Sequence, residues 1–238
     1  MSQSTSVLYY GPEGCGKSIF AEALFHEFNE SLLFGQTNSA ILLEDSDNIV
    51  KVIKKNVFQT IDETGLGGLL IDDVDVLLPR LRAYPVAHGY LLDRLKSRTG
   101  GLVIVTTARH PESLSDEELA AFEMITPLLY PDSDDRIDIL QKIVQFQIVQ
   151  PARLESTISL EKIAGLTEWW SGRELKELID ISIKQGFLSE ESLLKNIKII
   201  GDRVIPEHRI KRMQELVRFT DKYCTDDDIR LDILYRFS

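Results

Sequence analysis

Cysteine is scarce: Cys15 and Cys224 are the only two among 238 residues. Two such residues cannot build a disulfide framework and do not have metal-ligand spacing, which points to a reducing compartment with the cytoplasm as the default. No run of about 18 apolar residues occurs, and Met1 to Ser6 is polar with no charged stretch leading into an apolar one. Neither a membrane span nor a visible export signal is therefore expected. Positive charge is short as well, with 27 Lys and Arg against 38 Asp and Glu and a formal net charge of −11. That balance argues against a protein whose main task is holding nucleic acid or an anionic membrane surface. Two local basic spots remain, Lys51 to Lys55 and Arg209 to Arg212. Apolar neighbours Val52, Ile53 and Ile210 stand at helical spacing beside them, and both read as solvated helix faces.

What is present suits a globular chain of one α/β domain plus a smaller one, with 43% hydrophobic and 27% charged residues. Val7 to Tyr10 is a short apolar run of the buried-strand kind, and Phe20, Ala23, Leu24 and Phe28 follow at helical spacing. Leu32 to Phe34 is a second strand candidate. From Asp47, the residues Val50, Ile53, Val57 and Ile61 predict a helix up to the breaker Thr64-Gly65. Gly68 to Ile71 and Leu102 to Thr107 are apolar without polar alternation, as in a parallel sheet covered on both faces. Val86 to Lys96 supplies the helix between them, and Met124 to Tyr130 is a fifth strand that Pro127 assigns to an edge or a bulge. After Ser133 the periodicity is helical only. The division expected is 1–150, an α/β domain of about five parallel strands flanked by helices, and 151–238, a small all-helical domain, with the break near Gln150-Pro151. Ser171 and Glu174 read as a capping box.

Gly11-Pro12-Glu13-Gly14-Cys15-Gly16-Lys17-Ser18 satisfies G-x-x-x-x-G-K-[ST] between a predicted strand and a predicted helix. The glycines let the N–H groups of Gly14 to Ser18 converge on phosphate oxygens, and the following helix N-terminus favours the anion. Lys17 is expected on the β and γ phosphates and Ser18 on Mg²⁺; Ile19, next along the helix, is counted with the nucleotide contacts. Cys15 needs only to be small. Leu69-Leu70-Ile71-Asp72-Asp73 ends an apolar strand in two carboxylates, where open α/β sheets place their ligand crevice. Asp72 is expected on the Mg²⁺ side.

These pieces resemble the AAA+ superfamily. Gly11 to Ser18 looks like its Walker A motif and Ile71-Asp72-Asp73-Val74-Asp75 like its Walker B. Val105-Thr106-Thr107-Ala108-Arg109 is similar to the sensor-1 strand. Tyr130-Pro131-Asp132 through Arg136 resembles the turn before the lid, and Trp170 to Leu175 the start of the sensor-2 helix. The resemblance covers almost the whole chain. It implies ATP and Mg²⁺ as cofactors, Asp73 in the place of the hydrolytic glutamate, Arg173 as the γ-phosphate sensor, and assembly as a homo- or hetero-oligomer with other AAA+ subunits, with a protein client possible.

The departures also carry weight. Asp73 is one methylene shorter than glutamate and holds water less well. Ala108 stands where a polar sensor-1 side chain is usual, and Thr107, a candidate nucleotide contact, is expected on the opposite face of the strand. Glu118 to Glu123 occupies the arginine-finger segment without an arginine, a loss worth roughly a thousandfold in rate. Arg80 and Arg82 are candidates for a displaced finger, with solvated surface as the plainer reading. Ile41 to Glu44 stands at the pore-loop position, although Leu42 and Leu43 are equally suited to a core. Trp169 and Trp170 read as lid packing. The whole resembles the degenerate rings of two-ring AAA+ machines, such as the second ring of the vesicle-fusion ATPase: an ATP·Mg²⁺-binding module with slow or partner-dependent hydrolysis. The alternative is a nucleotide-stabilised structural subunit that does not turn over.

Overall fold

The computed structural model describes residues 4–28, 33–44, 48–97, 100–147, 158–184 and 188–237. Five strands, β1 (Thr5–Tyr10), β2 (Phe34–Asn38), β3 (Gly68–Asp72), β4 (Val103–Ala108) and β5 (Met124–Pro127), form one parallel sheet in the order β2-β3-β4-β1-β5. β4 is buried at every position and β1 from Ser6 onward, as the lack of polar alternation predicts for a sheet covered on both faces. β5 does lie at an edge, so Pro127 withholds no ladder donor that a further strand would need. β2 begins at Phe34 and runs through polar Gln36, Thr37 and Asn38, whereas Leu32 lies outside the described residues. Among the described residues β2 is paired on one side only, and an edge strand tolerates that polarity.

Helices α1 (Lys17–Phe28) and α2 (Ser39–Leu43) follow β1 and β2. α2 buries Leu42 and exposes Ile41. The predicted single helix before β3 is built in three parts, α3 (Ile49–Lys51), an eight-residue π-helical stretch (Val52–Gln59) and α4 (Thr60–Thr64). The wider π turn is what brings Ile53 and Phe58, five residues apart, to the core; Phe58 replaces the expected Val57 there. Gly65 closes α4 in the left-handed region, at φ 70°. α5 (Val74–Leu81) and α6 (Pro85–Lys96) lie between β3 and β4, and α7 (Asp116–Leu119) precedes β5. Then come α8 (Ser133–Gln147), α9 (Leu160–Leu166), α10 (Gly172–Lys184), α11 (Glu190–Gly201), α12 (Pro206–Tyr223) and α13 (Asp227–Phe237).

The chain divides into two compact units, one of Met1–Gly11, Lys17–Leu128 and Leu216–Ser238, the other of Pro12–Gly16 and Leu129–Glu215. The expected break at Gln150-Pro151 lies outside the described residues. The first unit contains the sheet, α1 to α7, the end of α12 and α13. Its C-terminal segment covers the free edge of β5, where Ile125 N–H donates to Thr225 Oγ1 at 2.9 Å and Thr225 N–H donates to Ile125 O at 3.1 Å. Tyr10 Oη donates to Thr220 Oγ1 at 2.8 Å, and its ring meets Phe219 edge-on. The second unit packs Leu140, Ile163, Trp170, Leu175, Leu178, Leu193 and Ile200 into its own core. Trp170, 3% exposed, is a packing residue of that core.

Candidate nucleotide-binding site

In the first unit the loop leaves β1 at Gly11, whose φ is 151° and where a Cβ would stand 1.9 Å from the Leu128 carbonyl oxygen. Only glycine fits that approach. Lys17 opens α1, is 8% exposed, and its Nζ donates to Gly11 O, just after β1, at 2.9 Å. Ser18 follows, and its Oγ donates to Asp72 Oδ1 at 3.0 Å. The strand order places β3 two strands from β1, yet the hydroxyl and the acid at the two strand ends meet. Ile19 is 71% exposed on α1.

Thr107 corrects one expectation. Its hydroxyl donates to Asp72 Oδ1 at 2.8 Å and accepts the Asp73 N–H at 3.1 Å, so it faces the acidic turn. The ladder pairs Ile71 with Thr106, which sets Asp72 level with Thr107 across the sheet. Residues level with one another on parallel strands share a face, and this cross-strand relation governs the contact. Ala108 is fully buried. Gln36 Nε2 adds a bond to Asp72 Oδ2 at 3.1 Å, and Ser39 Oγ donates to the Asp72 carbonyl at 3.0 Å. Gln36 and Ser39 were not singled out from the sequence; the polar run in β2 was the available signal.

Asp73 adopts the left-handed region, at φ 59° and ψ 45°, uncommon for a residue other than glycine. Its Oδ1 accepts from Arg109 Nε at 3.1 Å. Arg109 is itself anchored by its backbone, since the Asp75 Oδ2 accepts both Arg109 N–H at 3.1 Å and His110 N–H at 2.7 Å. Asp75 is 6% exposed, and its Oδ1 is buried with no hydrogen-bond partner among the described residues.

The segment Glu118 to Glu123, expected at the arginine-finger position, is mostly buried. Ser115 and Glu118 form a capping box at the start of α7, and Leu119, Ala121 and Phe122 are buried. The Glu118 carboxylate, with no exposed surface, accepts Arg82 Nε at 2.9 Å and Nη2 at 2.6 Å, the Ser115 N–H at 2.8 Å, and stands 2.8 Å from His88 Nε2. Burial alone would raise its pKa; the Arg82, Ser115 and His88 hydrogen bonds outweigh that and hold it at about 2. Arg82, a candidate finger, is thus committed within its own chain. Arg80 is exposed.

The second unit contains Pro12 to Gly16 and Arg173. Gly14 has φ 81°, and a Cβ there would meet Ser171 Oγ at 2.5 Å. Arg173 N–H donates to Gly14 O at 3.1 Å, and Arg173 Nη1 to Glu13 Oε1 at 2.5 Å. Ser171 N–H donates to Glu174 Oε2 at 2.7 Å, the reach-back half of the expected capping box, while Ser171 Oγ donates to that same oxygen at 2.8 Å. Glu174 also holds Arg209, which lies over the Tyr130 ring at 5.0 Å and is only 15% exposed. Burial works to raise the Glu174 pKa, and the Arg209 and Ser171 hydrogen bonds win and lower it. Arg209 is therefore a structural ion pair and not part of a solvated face. The earlier basic spot behaves partly alike, with Lys54 over the Tyr90 ring at 4.9 Å.

A parallel sheet of this order, with a G-x-x-x-x-G-K-S loop between β1 and α1 and an acid at the end of β3 joined to the loop's serine, defines a P-loop nucleotide-binding fold. Within that class, the family described as "ATPase family associated with various cellular activities (AAA)" matches residues 7–128, and the chain belongs to it. The proteasome-activating nucleotidase of Pyrococcus abyssi is 24% identical over 220 residues, covering 82% of this chain and 52% of its own length. Those of Pyrococcus horikoshii and Pyrococcus furiosus match to the same extent. The chain spans about half the length of these relatives. The crystal structure of the FIGL-1 AAA domain superposes with a TM-score of 0.70 at 16% identity, over 94% of this chain and 78% of that one, a likeness of fold alone. Among the described residues no helix is long and apolar enough to cross a membrane.

Proposed function

We propose that the chain is an ATP·Mg²⁺-binding AAA+ module of an oligomeric remodelling assembly, with hydrolysis that is slow or depends on a partner. The observation that carries it is the junction of Ser18 Oγ and Thr107 Oγ1 on a single oxygen of Asp72. A hydroxyl and a carboxylate beside a phosphate loop are the hard oxygen donors that Mg²⁺ takes when phosphates and waters fill its remaining positions. Lys17 would neutralise phosphate charge, Asp73 would hold the attacking water and Arg173 would report the γ-phosphate. The bound metal would polarise the phosphoryl oxygens. ADP is the expected product ligand, and other AAA+ subunits and a protein client are the expected partners, in the cytoplasm.

Asp73 paired to Arg109, and Glu118 in the finger segment holding Arg82, favour a second reading, a nucleotide-stabilised subunit that does not turn over. One set of measurements tests both. ATP with Mg²⁺ should raise the melting temperature, since a ligand bound only by the folded state stabilises it, and Lys17→Ala should abolish that rise. Turnover per protomer should stay flat across a dilution series and rise only when a second protein carrying its own finger is added. A shift that survives in Lys17→Ala removes the loop as the site, and no turnover under any pairing selects the second reading.

A further inference from the structure

The phosphate-binding loop of this chain contains a carboxylate, Glu13, where an anion must be held. A negative charge there repels phosphate unless something balances it. The balancing group is Arg173, whose Nη1 lies 2.5 Å from Glu13 Oε1. Backbone geometry places the two together: Arg173 N–H donates to Gly14 O at 3.1 Å, and the space a Cβ on Gly14 would need is filled by Ser171 Oγ at 2.5 Å and Arg173 Cβ at 3.0 Å. Loop residues 13 and 14 and the turn 171–173 therefore meet at successive points, and the ion pair is not a chance encounter of two long side chains.

We infer that Glu13 sets how strongly the loop distinguishes a nucleoside triphosphate from a diphosphate, by neutralising the guanidinium that would otherwise reward the third phosphate. The inference rests on the loop being the nucleotide site. With Glu13 present, Arg173 offers an added phosphate little net charge, and the affinities for triphosphate and diphosphate are drawn together. With Glu13 neutral, the guanidinium is unbalanced and the extra phosphate gains more than the shared two. Both side chains are largely exposed, at 66% for Arg173 and 60% for Glu13, so solvent limits the effect. Exposed pairs of this kind correspond to a change of about two- to fivefold in an equilibrium constant.

The experiment titrates the full chain in the presence of Mg²⁺ with ADP and with a non-hydrolysable ATP analogue, by calorimetry, in four forms: wild type, Glu13→Gln, Arg173→Ala and the double variant. Circular dichroism confirms that each is folded, which exposed positions favour. Glu13→Gln is expected to raise the triphosphate-to-diphosphate affinity ratio about two- to fivefold at low salt, with the gain fading toward 1 M salt as charges are screened. In the Arg173→Ala background the same substitution should leave the ratio unchanged. An unchanged or lowered ratio in Glu13→Gln overturns the inference while leaving the nucleotide site standing. An equal rise in both backgrounds also overturns it, because plain repulsion would then suffice. Failure of the wild type to bind either nucleotide overturns the site and the inference together.

Discussion

Replacing Arg82 by alanine leaves Glu118 as a buried carboxylate with two of its four donors gone. The fold holds its pKa at about 2, against an unfolded value of 4.5, and so favours the ionised form. At about 1.4 kcal/mol per unit the full conversion is about 3 kcal/mol. Arg82 is 44% exposed, so water recovers part of this when the pair is broken, and a loss of about 2 kcal/mol at pH 7 is the expected cost of Arg82→Ala. The sign with pH follows from the depressed folded value. The contribution is fully present above pH 4.5 and is lost as pH falls through the window from 4.5 to about 2. The gap between wild type and Arg82→Ala should therefore shrink to about 1 kcal/mol at pH 3. Urea unfolding of both proteins at pH 7 and pH 3 reads this directly. A gap under about 0.5 kcal/mol at pH 7, or one of equal size at both values, would refute the claim that Arg82 serves a buried carboxylate. If Arg82 were instead a displaced finger, stability would hold and concentration-dependent turnover would fall.

Thr107→Val keeps the side-chain shape but removes the hydroxyl that accepts from Asp73 N–H and donates to Asp72 Oδ1; a loss of about 1 to 3 kcal/mol in urea unfolding is expected, together with a higher Mg²⁺ requirement for nucleotide binding. Unfolding and Mg²⁺ dependence both like wild type would dismiss Thr107 from the acidic turn. Gly14→Ala should abolish the nucleotide-induced melting shift, because φ 81° costs a Cβ about 1 kcal/mol or more and Ser171 Oγ already fills its space. A retained shift would mean that the loop can yield there.

The phosphate loop and the acidic strand end were legible because each is a contiguous run whose chemistry and neighbouring periodicity coincide: glycines, lysine and serine between a strand and a helix, and two acids closing an apolar strand. The five strands were legible for the same local reason, and β2 was misplaced by a few residues because an edge strand need not be apolar. The π turn was not legible, since Val57 and Phe58 are both apolar and only the packing of Phe58 decides which faces inward. The placement of α13 was not legible either. Ile229, Ile233 and Phe237 mark a face, but what the segment before them covers is the edge of β5, a partner about 100 residues away in the chain.

The least legible feature is the way the charges are paired. Asp73 meets Arg109 across 36 residues, Glu118 meets Arg82 across 36, and Glu13 meets Arg173 across 160. An ion pair imposes no periodicity, so sequence spacing cannot announce it. Each pair nonetheless involves a group that the family resemblance had assigned to water, to a neighbouring active site or to the γ-phosphate. Glu118 has no exposed surface although Arg82 is 44% exposed, so losing the arginine would strand a desolvated carboxylate, and that pair is built to stay closed. Asp73 with Arg109 and Glu13 with Arg173 are at least one-third exposed on both partners, so solvent can take over either charge at small cost. The Glu118–Arg82 pair ties Arg82 to its own chain, whereas the other two can open when an anion competes for the guanidinium or a water for the carboxylate. Under the proposed function, a chain so arranged would retain nucleotide binding while its hydrolysis waits on a charge supplied from outside.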